Sequence, residues 1–106
     1  MYMEIEIDNE SCVRVYNECK EMYTELLKHV IPRAHRLNNC QAWTIKCGNY
    51  IILQSYNTFV AAYDEYSDLM YDFLRYSYGY TATSAQHIAK FRKLVEPRAF
   101  CRYIPQ

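Results

Sequence analysis

Glycine and proline are scarce in this chain, 2 and 3 among 106 residues. Two glycines build no phosphate-cradling loop ahead of a helix, and neither frames an exposed nucleophile. The nucleotide-binding and acyl-transfer motifs that depend on such loops are therefore excluded. The same scarcity, with 51% hydrophobic residues, argues against a disordered linker and for a packed globule of one domain spanning 1–106. No apolar run approaches the ~18 residues that cross a bilayer. The chain opens MYMEIEID, acidic where a secretory signal is basic and then apolar, which predicts a cytoplasmic protein with no membrane partner. Cys12, Cys19, Cys40, Cys47 and Cys101 are odd in number and form no Cys-x-x-Cys, so reduced thiols are expected rather than a disulfide framework. His35, Cys40 and Cys47 match no zinc-site spacing, and neither a metal nor a cofactor is expected. Net charge is also missing, 12 basic against 12 acidic residues, and with it the simplest argument for nonspecific nucleic-acid binding.

The charge that is present is unevenly placed. Residues 1–25 carry Glu4, Glu6, Asp8, Glu10, Glu18, Glu21 and Glu25 against Arg14 and Lys20, whereas residues 86–106 carry Lys90, Arg92, Lys93, Arg98 and Arg102 against Glu96. Along the chain, Tyr2 to Ile7 alternates as a half-buried strand does, with Met3, Ile5 and Ile7 on one side. Asp8, Asn9 and Ser11 supply helix-capping oxygens. The following helix is drawn by Cys12, Val15, Tyr16, Cys19, Met22, Tyr23, Leu26 and Val30 at steps of three and four, and Pro32 should end it. Pro32 to Asn39 reads as a basic connector. Ala42 to Cys47 and Tyr50 to Ser55 flank Gly48-Asn49 as a hairpin; Phe59 to Tyr63 and Leu69 to Arg75 continue as strands around the polar break Asp64 to Asp68. A capping box at Thr83 to Gln86 starts a second helix that buries Ile88, Phe91 and Val95 and stops before Pro97; the rest reads as a tail over a sheet edge. The expected fold is α+β: an antiparallel meander of three or four strands, with the long N-terminal helix and the shorter C-terminal helix packed on one face.

Twelve tyrosines then invite a surface role. Tyr63, Tyr66, Tyr71, Tyr76, Tyr78 and Tyr80 lie among Asp64, Glu65, Asp68 and Asp72, a mixture of stiff amphipathic rings and carboxylates suited to a basic partner. Half-buried strands also favour tyrosine, so the pattern alone does not separate a partner site or homodimer interface from ordinary sheet packing. Lys90, Arg92, Lys93, Arg98 and Arg102 form the alternative, a nucleic-acid footprint beside Tyr103. For catalysis a cysteine would need His29, His35 or His87 beside it; nothing local supports that pairing, and the chain is expected not to be an enzyme. His87, four residues before Phe91, is expected to fix how the last helix docks.

Leu53 to Asp64, with its Leu-x-Ser-Tyr-x-Thr-x-Val-Ala run, and Tyr80 to Phe91, with Thr-x-Thr-Ser-x-x-His-Ile-x-x-Phe, together resemble a small domain of unknown function found in phages, plasmids and Gram-positive bacteria. The resemblance leaves out the long N-terminal helix and implies a setting more than a mechanism: a mobile-element accessory protein in a bacterial cytoplasm. In that setting the expected function is non-enzymatic binding of a host protein or nucleoprotein, for instance inhibition of a defence nuclease such as a CRISPR effector. The alternative is a small nucleic-acid-binding regulator.

Overall fold

The computed structural model describes residues 5–106. Tyr2, Met3 and Glu4 of the expected first strand lie outside them; the described part is β1, Ile5–Ile7. It is followed by α1 (Asn9–Leu27), β2 (Ala34–Arg36), β3 (Ala42–Cys47), β4 (Tyr50–Ser55), β5 (Thr58–Asp64), β6 (Leu69–Asp72), α2 (Leu74–Ser77), α3 (Ala82–Val95) and β7 (Ala99–Arg102). The protein is α+β, with one seven-stranded sheet in the order β1-β7-β6-β5-β4-β3-β2. From β2 to β6 every neighbouring pair is antiparallel; β7 lies parallel to both β6 and β1.

The sheet is longer than expected at both ends. Ala34–Arg36, read as connector, pairs with β3, although its residues are all exposed and so carry no apolar alternation to betray it. The supposed tail contributes β7, which sits second in the sheet rather than over an edge. Leu69 to Arg75 is not one strand: β6 stops at Asp72, and Leu74–Ser77 turns into a short helix because the Asp72 carboxylate accepts the Leu74 amide at 3.1 Å.

Helix α1 starts where the capping residues place it, with Asp8 Oδ1 accepting the Ser11 amide at 3.0 Å. Its end comes at Leu27, more than a turn before Pro32: Val30 is 52% and Ile31 96% exposed, so no packing rewards another turn. For α3 the cap is Thr81, whose hydroxyl accepts the Ser84 amide at 3.1 Å, rather than Thr83. At the other end Glu96 takes a left-handed conformation (φ 48°) and donates its amide to Arg92 O before Pro97 breaks the helix. β1 does not bury the isoleucines that suggested it, since Ile5 is 44% and Ile7 61% exposed at the sheet edge.

The two long helices pack on opposite faces, which corrects the expectation of one shared face. Strand residues alternate in direction. Cys12, Val15 and Cys19 of α1 cluster with Ile45, Cys47, Tyr50, Ile52, Ala62, Tyr71 and Cys101, whereas Ile88 and Phe91 of α3 cluster with Leu53, Ala61, Met70, Leu74 and Phe100. Both sheet faces are thus covered, and among the described residues no broad tyrosine face is left bare. The layering follows from connection geometry: β6 reaches its parallel neighbour β7 through α3 over one face, and α1 crosses the other to carry the chain from the edge strand β1 to β2.

Candidate functional site

The ten residues of the expected tyrosine-acid surface do not assemble. Tyr71 and Asp72 are core residues, 5% and 3% exposed. Asp64 organises the β5–β6 turn, accepting from Asn49 Nδ2 at 3.0 Å and the Tyr66 amide at 2.9 Å. Burial pushes its carboxyl up, but the hydrogen bonds from Asn49, Tyr66 and Ser67 bring it below the ordinary value. Tyr63 donates to Asp68 Oδ1 at 2.5 Å, a bond that raises its phenol, and Glu65 pairs with Lys46. Only Tyr66, 90% exposed, projects freely at this end. Tyr76, Tyr78 and Tyr80 lie beyond the far end of β6. One strand's length separates the two groups, because β6 inserts its buried residues between them.

The basic set divides as well. Lys90 and Lys93 are exposed on α3, with Lys90 Nζ reaching Cys40 Sγ at 2.9 Å. Arg98 is tied to Ser67 O at 2.8 Å, Arg102 to Asp72 Oδ2 at 3.1 Å, and Arg92 lies over the Phe100 ring at 5.2 Å.

What the fold does assemble is an aromatic cleft on the α1 face, two of whose walls, Tyr16 and Tyr23, belong to the stripe that the periodicity assigns to the core. Tyr16, Lys20, Tyr23, Thr24 and Leu27 recur along one stripe of α1 and face Gln54, Asn57, Thr58, Phe59 and Ser77 across a cleft of about 650 Å³. A second hollow of about 340 Å³ continues from Tyr23, Gln54 and Asn57 to Pro32, Ala34, Trp43 and Tyr56. Tyr23 stands edge-on to Phe59 at 5.1 Å, and Tyr16 edge-on to Phe73 at 5.2 Å and Tyr76 at 5.5 Å. Lys20 Nζ lies 5.9 Å from both the Tyr16 and Phe59 rings, the one base lining the larger hollow. Tyr56 holds the β4–β5 turn in a left-handed conformation (φ 55°) that glycine or asparagine adopts at lower cost, and it is 42% exposed. The Ser77 hydroxyl, buried at the cleft wall, has no partner among the described residues. Two tyrosines seven residues apart on one helix stripe, Tyr16 and Tyr23, were the available signal, but half-burial is indistinguishable from burial in a periodicity.

The motif residues converge on the opposite face. Ser55 Oγ, at the end of β4, hydrogen-bonds Ser84 Oγ at 2.9 Å and His87 Nδ1 at 2.8 Å, both on α3. All three side chains are buried, and Tyr56 flanks the imidazole at 5.9 Å. Burial, and secondarily Lys90, push the His87 pKa below its ordinary value, so the ring is neutral at pH 7. A fully enclosed serine already engaged by two partners has no path to a substrate; the trio pins the last helix to the sheet. The thiols offer no better nucleophile. Burial lifts Cys12 to about 12 and raises Cys19, Cys47 and Cys101, while Cys40 alone is partly accessible. Among the described residues no cluster of His, Cys, Asp and Glu could hold a metal, and no helix is long and apolar enough to cross a membrane. Comparison with protein families, curated proteins and solved structures returns no match.

Proposed function

We propose that this chain is a non-enzymatic binding protein that receives a basic segment of a partner protein or nucleoprotein on its α1 face. The observation that carries this reading is the cleft, where Tyr16, Tyr23, Trp43 and Tyr56 stay partly accessible beside a helix whose outward residues include Glu10, Glu21 and Glu25. Rigid aromatic walls supply contact area at small entropic cost, and exposed carboxylates speed the approach of a basic surface. The resemblance to a mobile-element domain gives the proposal a concrete form, an inhibitor acting in the bacterial cytoplasm on the nucleic-acid groove of a defence nuclease such as a CRISPR effector. The test is affinity capture from bacterial lysate, with the captured partner then purified and titrated. Tyr23→Ala and Glu21→Lys should each weaken it by about tenfold, equivalent to 1.4 kcal/mol. Unchanged affinity in both variants sinks the proposal.

A second reading rests on α3, which carries Lys90, Arg92 and Lys93 and no acid. Because α1 and α3 lie on opposite faces, the uneven charge of the sequence becomes a two-sided molecule, and the α3 side suits a phosphate backbone. Binding of single-stranded or duplex DNA, with a log–log salt slope of about −2 to −3 for three cations, would establish it. Absence of salt-dependent binding at 50 mM salt removes it.

A further inference from the structure

A cavity of about 170 Å³ lies between α3 and the ends of the two inner parallel strands, with Asp72, Arg75, Tyr80, Arg92, Phe100 and Arg102 among its lining. Asp72 and Arg102 are register partners and the last residues of β6 and β7. The cavity therefore opens at the carboxyl ends of parallel strands, where α/β sheets hold their ligands. Three guanidiniums meet there with one carboxylate. Both oxygens of that carboxylate already accept a bond: Oδ1 from the Leu74 amide and Oδ2 from Arg102 Nε, each at 3.1 Å. Arg75 and Arg92 enter no ion pair among the described residues. They are held by rings instead, Arg75 over Tyr80 at 4.6 Å and Arg92 over Phe100 at 5.2 Å, with Arg102 also 5.3 Å from Phe100.

A guanidinium lying over a ring uses its flat face and keeps its N–H edge, the edge that grips oxyanions in pairs of hydrogen bonds. Gathering three such cations around one carboxylate raises the free energy of the empty site, and an incoming anion relieves that repulsion. At ~30 Å³ per water, the space equals about five or six waters, enough for one tetrahedral oxyanion and too little for a drug-sized ligand. We propose that this cavity binds a phosphate group, either free phosphate or the head of a small phosphate monoester whose remainder leaves past the half-exposed Tyr80. The site lies on the α3 face and stands independently of the partner cleft.

The experiment is an amide and arginine Nε–H NMR titration of the wild-type protein with inorganic phosphate, phenyl phosphate and, at matched ionic strength, sodium chloride. Both phosphates should produce saturable shifts at Leu74, Phe100 and Arg102 and at the side chains of Arg75 and Arg92, with chloride producing none. Tighter binding of phenyl phosphate identifies a monoester as the ligand class, and equal binding identifies free phosphate. Arg75→Gln with Arg92→Gln should weaken binding at least tenfold, while Arg33→Gln, a base removed elsewhere, should leave it unchanged. Shifts that fail to saturate, that spread over the exposed Lys90 and Lys93, or that an oligonucleotide without terminal phosphate reproduces overturn the proposal. Because the primary readout is on the wild-type chain, a double variant that does not fold leaves the test decisive.

Discussion

Ser55 illustrates how a single hydroxyl can hold two elements together. Among the described residues its oxygen is the only hydrogen-bond partner of the Ser84 and His87 side chains, so Ser55→Ala strands two buried polar groups as well as losing its own bonds. The expected cost is about 1–3 kcal/mol, read from the urea midpoint. The histidine adds a pH dependence of definite sign. Its folded pKa lies below the ordinary 6.5, so between the two values the unfolded chain binds a proton that the native chain refuses. Stability is therefore complete above pH 6.5 and falls as the pH drops below it; a urea series at pH 8, 7, 6 and 5 should show this decline in the wild type and a shallower one in His87→Gln. The thiols make a third prediction: maleimide should label Cys40 in the native protein, with Cys12 and Cys19 protected until denaturation, as peptide mass spectrometry would report. At this scale the sequence carried identities without environments. Ser55 read as the last residue of a hairpin strand, and only the packing of β4 against α3 makes it the hub.

Elements with a strong period or a punctuating turn were legible: α1 from its apolar stripe, and β3 and β4 from alternation around Gly48, whose φ of 59° strains any residue that carries a side chain. Those missed lacked a period. β2 is three exposed residues paired by backbone alone, β7 is four residues behind a proline, and α2 is a single turn created by a side chain–backbone bond at Asp72. Helix starts were placed to within a turn, and the choice between neighbouring threonines is a sharp check. Thr81→Ala should cost about 0.5–2 kcal/mol by leaving the Ser84 amide unpaired, whereas Thr83→Ala, exposed inside the first turn, should change thermal stability by no more than about 0.5 kcal/mol.

For the molecule as a whole, the fold class was readable and the layering was not. Periodicity says that a helix has a buried side but not which face of a sheet receives it, and that single bit decides whether the acidic and basic ends of the chain share a surface or oppose one another. The candidate site failed for a related reason: Tyr63 to Tyr80 is continuous in sequence, yet β6 buries its middle and leaves the flanking residues at opposite ends of the strand. Both helices depend on β7, which hydrogen-bonds β1 on one side and β6 on the other, while Asn9 clasps Ile104 through a reciprocal pair of bonds at 2.7 and 2.8 Å. Deleting residues 99–106 should therefore abolish the cooperative thermal transition rather than trim an edge. During synthesis the consequence is one of timing. The first strand and the helix after it leave the ribosome with their neighbour β7 still unmade, so that part of the nascent chain must wait, exposed to proteases and chaperones, until β7 emerges and pairs with β1.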